Sequence, residues 1–220
     1  MKNYQILILL ILLTSCSNEN SKAISPKQEA SENIKTELIK MEYPSYDFDT
    51  ILSNGYHLSY KLNLGKEKLQ SLTLKKGQKE IRELNEVSAG MLHKNLGYIG
   101  ADLGDYFIFS QAFGSGNPTD IQIIEKETGK EIKKGSWVDD DTNELVVLYI
   151  SNIHEENEEL RLYDIKNQKE RTITDFNNCR CIEEVIFGMR GCVEIKSVSK
   201  TEIVLAVEYN NEKIIKKYNR

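Results

Sequence analysis

Beyond residue 50 the chain alternates short apolar stretches with turn-forming residues. Y-F-I-F-S at 106–110 and E-L-V-V-L-Y-I at 144–150 are continuous apolar runs, the pattern of strands buried on both faces. I-Q-I-I at 121–124 and L-R-L-Y at 160–163 alternate more, as half-buried strands do. K-E-T-G-K at 126–130 and K-N-Q-K-E at 166–170 suit tight turns between them, and Asn210-Asn211 marks a further close hairpin. Residues 78–95 leave room for a helix.

The strand rhythm repeats. A shift of 39 positions, without a gap, places Tyr98 on Trp137, Asp102 on Asp141, Gly104 on Asn143 and Asp105 on Glu144. The same shift lays Tyr106-Phe107-Ile108-Phe109 over Leu145-Val146-Val147-Leu148, and Lys130-Glu131 over Lys169-Glu170. Fainter copies flank this pair around Asn54-Gly55-Tyr56 and Thr201–Leu205. The expectation is an all-β domain of antiparallel β-meander repeats, about four units in number. This rhythm resembles the blades of β-propellers, although no W-D or G-H signature is present. The same hairpins would also build a two-sheet β-sandwich or an open meander.

The N-terminus has a different pattern. Ile6–Leu13 is an eight-residue apolar run preceded by Lys2. A membrane-spanning helix needs about 20 such residues, so the run has the length of a signal-peptide hydrophobic region. Leu13-Thr14-Ser15-Cys16 closes it, and this ending resembles the bacterial lipobox: an aliphatic residue, two small residues and a cysteine. The resemblance implies a diacylglyceryl group on Cys16, cleavage between Ser15 and Cys16, and acylation of the new amino terminus. It therefore implies a bacterial cell-envelope protein held to a membrane by its N-terminal lipid. Residues 17–33 are rich in Ser, Asn, Glu and Lys and lack aromatics, a composition too polar to offset the entropy of ordering. The organisation expected is a signal peptide at 1–15, a lipidated cysteine and flexible tether at 16–42, and a β-rich domain at 43–220.

Charge and composition narrow the partners. The net charge is −5 and no basic patch stands out, so no nucleic-acid partner is expected. A mildly acidic chain is not drawn to anionic lipid by charge, which leaves the covalent lipid as the membrane attachment.

Candidate chemistry is sparse. Setting Cys16 aside leaves Cys179, Cys181 and Cys192. Outside the cytoplasm disulfides form readily, and the C-x-C pair is too close to bridge itself without ring strain. Cys192 is therefore expected to pair with Cys179 or Cys181. The C-x-C spacing is also shorter than that of structural zinc sites. D-D-D-T-N at 139–143 begins like a calcium loop, but Glu144 and Ile150 stand where Gly and Glu are required. His154-Glu155 lacks the second histidine of a zinc-protease helix, with Glu158 in its place. No metal and no cofactor are expected.

Gly114-Ser115-Gly116-Asn117-Pro118 is the most pliable stretch, and it is neither a phosphate loop nor a nucleophile elbow. Gly114, Ser115, Gly116, Asn117 and, on the equivalent loop, His154 are the candidate binding residues, because loops on rigid sheets often carry function. The functional expectation is a binding or interaction domain for a protein or small-molecule ligand in the envelope. The alternative is an envelope enzyme of hydrolase type assembled from Asp102, Asp105, Asp141 and His154.

Overall fold

The computed structural model describes residues 46–220 except 66 and 154–157. The expectations for the signal peptide, Cys16, the tether and His154 lie outside the described residues. The rest is built from thirteen antiparallel strands in three consecutive meanders. The first is β1 (Tyr56–Asn63), β2 (Leu69–Lys76) and β3 (Lys79–Ser88). The second has seven strands: β4 (Tyr98–Leu103), β5 (Tyr106–Ala112), β6 (Thr119–Glu125), β7 (Glu131–Asp141), β8 (Val146–Ile150), β9 (Leu160–Asp164) and β10 (Lys169–Ile173). The third is β11 (Val193–Val198), β12 (Glu202–Tyr209) and β13 (Glu212–Asn219). The all-β, antiparallel expectation holds. The room left for a helix at 78–95 is taken mostly by β3, with only the short α1 (His93–Leu96) helical.

β7 organises the middle of the fold. Its first half pairs with β6 and its second half with β8, and Ser136 pairs with both, opposite Asp120 and Ile150. The seven-stranded sheet turns over at this corner, so that its two halves face each other. Gly135 permits the turn: a Cβ there would lie 2.2 Å from the Ile150 carbonyl oxygen and 2.6 Å from the Tyr149 ring. Strands that pass between packed sheet layers commonly bend at such points.

Three core layers result. Leu58, Leu72 and Leu74 of the first sheet pack on Phe107, Phe109 and Ile124. The opposite faces of β5 and β6, through Ile108, Ile121 and Ile123, pack on Val147, Tyr149 and Tyr163 of β8 and β9. The remaining faces of β8 and β9, through Leu148, Leu160 and Leu162, pack on Ile203, Leu205 and Val207 of β12. Both continuous apolar runs are therefore central strands with two buried faces; all five residues of β8 are buried. Burying each such side chain fully contributes about 1.5–3 kcal/mol.

Among the described residues no core layer joins the first sheet to the last. The described strands form an open stack, and the propeller-like closure suggested by the repeat rhythm is not found. The reason lies in β7: blades are separate sheets, whereas here one 11-residue strand stays hydrogen-bonded across two successive groups of strands.

Candidate functional site

The layer between the two halves of the folded sheet is filled at its centre and opens at one end. There Tyr98, Gly100, Ile108, Ser110, Thr119, Trp137 and Asp140 surround a cavity of about 250 Å³. β4, β5 and β6 supply one wall and the second half of β7 the other.

Two bulges shape this cavity. β4 pairs Tyr98 with Ser110 and Ala101 with Ile108, with an irregularity between Ile99 and Ala101. β7 pairs Trp137 with Tyr149 and Asp140 with Val147, with an irregularity between Trp137 and Asp139. In a regular strand, residues three apart point to opposite faces. The extra residue of the bulge returns Asp140 to the face of Trp137. The Trp137 indole Nε1–H then donates to Asp140 Oδ1 at 2.8 Å. Val138 and Asp139 are turned to the other face: Val138 is buried in the β12 layer, and Asp139 Oδ2 accepts the Ile195 N–H of β11 at 2.7 Å.

Trp137 is fixed through its N–H yet remains 40% exposed. It is the chain's single tryptophan. Facing it, Tyr98 stacks on Phe48, with ring centroids 4.8 Å apart, and its hydroxyl is hydrogen-bonded by Thr119. Burial pushes the Tyr98 phenol above its ordinary range. Burial also pushes the Asp140 carboxyl up, the Trp137 hydrogen bond opposes this, and the charges of Asp139 and Asp141 add to the rise. Asp140 takes part in none of the salt bridges formed among the described residues.

The other acidic residues have structural partners. Asp102 accepts from Lys126 Nζ and from the Ser53 N–H, both at 2.5 Å. Asp105 is 3.5 Å from Asn54 Nδ2, and its carbonyl accepts the Lys126 N–H. Asp141 Oδ1 accepts the N–H groups of Asn143 and Glu144 and so holds its own turn. Asp102 and Asp105 thus share the Lys126 corner with Ser53 and Asn54, while Asp141 holds a turn of its own. Among the described residues no group of three or more His, Cys, Asp or Glu is arranged to hold a metal ion.

Gly114, Ser115, Gly116 and Asn117 form a tight turn between β5 and β6, with the Asn117 N–H donating to the Gly114 carbonyl at 3.0 Å. They do not line the cavity, but Thr119, two residues on, does. Cys181, on the short α2 (Arg180–Glu184), is joined to Cys192 just before β11, and Cys179 is a buried free thiol. A second cavity of about 180 Å³ lies among Leu162, Arg171, Tyr218 and Arg220. There Arg220 is bound to Asp164 and to Glu144.

Motif reading passed over Trp137, Asp140, Tyr98, Ser110 and Thr119. Two signals for them were present: the sole tryptophan stands three residues before Asp140, and the 39-residue shift already matches it with Tyr98. Compared with models of known protein families and with curated proteins, the sequence matches none.

Proposed function

We propose that this chain is a lipid-anchored binding protein of a bacterial envelope, whose β-rich domain takes its ligand in the cavity between Tyr98 and Trp137. The anchoring half of this reading rests on Leu13-Thr14-Ser15-Cys16 and the apolar run before it. Several acyl chains hold a protein at a bilayer where one alone holds it marginally. The binding half is carried by one observation: Trp137 keeps its N–H satisfied by Asp140 while its ring remains 40% exposed at a concave mouth. Concave sites with aromatic walls and a few placed polar groups are the usual form of a small-ligand site. The 39-residue offset supports an internal duplication, in which Tyr98 and Trp137 are equivalent residues brought to opposite walls of one pocket.

Fractionation tests the anchor. Cys16→Ala should move the protein from the membrane to the soluble fraction, and an unchanged membrane fraction would overturn lipidation. The binding half is tested by Trp137 emission on titration with a small-molecule extract of envelopes. A saturable change is expected, and a flat response would count against the cavity as the ligand site.

A further inference from the structure

Resting on that reading, the geometry points to a small organic ammonium ion as the ligand class of the Tyr98–Trp137 cavity. Three observations carry this. Asp140 lines the cavity, and no lysine, arginine or histidine is among the lining residues. The contrast with two other buried or part-buried aspartates is direct: Asp102 pairs with Lys126 and Asp164 with Arg220. Asp140 instead has Asp139 and Asp141 as its charged neighbours. A partly buried carboxylate without a counter-ion is costly, and an arriving cation relieves that cost.

The walls suit such a cation. Trp is the best aromatic partner for an ammonium, followed by Tyr, and both line this cavity. Asp140 Oδ1 is occupied by the indole N–H, which leaves the second carboxylate oxygen to receive the ammonium. Ser110 and Thr119 add hydroxyl oxygens that accept N–H donors. At about 250 Å³ the cavity falls just below the usual range for drug-sized ligands, so a compact head group fits better than an extended chain. A neutral sugar would stack on the same rings, but it would leave the Asp140 charge uncompensated.

The test uses Trp137 as its own reporter. The purified full chain is titrated with tetramethylammonium chloride and, separately, with butylammonium chloride, against sodium chloride at matched ionic strength. N-acetylglucosamine is the neutral comparison. A saturable change in emission with an ammonium salt is expected, and it should weaken about tenfold or more in Asp140→Asn, since a charge-assisted contact is lost. Trp137→Phe, read by calorimetry, should weaken binding while leaving the thermal transition in place. No saturable response to either ammonium salt, or an undiminished response in Asp140→Asn, overturns the ammonium assignment. If N-acetylglucosamine alone saturates, the ammonium assignment falls and the cavity stands as a binding site. A flat response to every probe and to the envelope extract overturns both.

Discussion

Lys126, fully buried, sets its ammonium 2.5 Å from Asp102 Oδ1 and 2.9 Å from Ser53 Oγ. These contacts fasten the turn before β1 to the end of β4 and to the β6–β7 turn. The two partners are not equivalent, because Lys126 is 1% exposed and Asp102 30%. Removing Asp102 strands a buried ammonium, whereas removing Lys126 leaves a carboxylate that water reaches. Asp102→Ala should therefore cost about 3–5 kcal/mol. Lys126→Met, which keeps the apolar stem, should cost only about 1–2 kcal/mol. Urea denaturation of the two variants checks the order, and equal losses would refute this asymmetry.

Acid should weaken the fold through the same residue and its counterpart near the C-terminus. Burial pushes Asp102 and Asp164 up, but the Lys126 and Ser53 contacts of the first and the Arg220 and Asn167 contacts of the second outweigh it. Both carboxyls lie below their ordinary range. Their stabilisation is present above the unfolded-state value of about 3.9 and is lost as pH falls through the folded-state values. Asp140 has the opposite sign. Its raised folded-state value makes its ionised form a destabilising one at neutral pH. Asp140→Asn should leave the neutral-pH melting temperature unchanged or raised, while Asp102→Asn lowers it. Melting curves between pH 3 and pH 7 decide between these directions.

The sequence shows its local features well and its long-range ones poorly. Phe107–Phe109 and Val146–Ile150 declared two buried faces through continuous apolarity, and the structure gives them two core layers. Lys166–Glu170 carried its turn chemistry openly. Lys126 did not: within K-E-T-G-K it reads as a solvated turn residue, and only the approach of Ser53 and Asp102 buries it. The corner at Gly135 depends on Ile150 coming within 2.2 Å of where a Cβ would stand, which no local window contains. Trp137 and Asp140 are near neighbours in sequence, but their shared face depends on a bulge set by pairing with β8.

The cysteines near the C-terminus should differ sharply in reactivity. The Cys181–Cys192 bridge closes a short loop across a separation of 11 residues, which in the chain-entropy picture contributes roughly 3 kcal/mol. Cys179 is buried, and burial pushes its thiol above the ordinary range, with Glu212 adding to the rise. In a Cys16→Ser form, a thiol reagent should find almost nothing in the folded protein. It should find one thiol after denaturation and three after denaturation with reduction. Cys179→Ser should leave the bridge intact, whereas Cys181→Ser should lower the urea midpoint. Mass mapping of the non-reduced digest checks the pairing, and a Cys179–Cys192 peptide would refute it.

Gly135 is the position where the smallest change should have the largest effect on the site. Its Cβ would meet backbone, the Ile150 carbonyl, and that atom belongs to the strand pair that forms the corner. Gly100 is a useful contrast, since a Cβ there would meet the Ser110 hydroxyl at 2.3 Å, a side-chain atom that can rotate away. Gly135→Ala must open the β7–β8 pairing and should cost about 1–3 kcal/mol or more. Gly100→Ala should cost less. The corner also carries Trp137 and Asp140, two and five residues further along β7. Gly135→Ala should therefore shift Trp137 emission to the red at temperatures where the variant is still folded, as the indole loses its packed setting. Emission and far-ultraviolet circular dichroism recorded on one sample separate this local loosening from unfolding, and an unchanged spectrum at an unchanged melting temperature would refute the role of the corner.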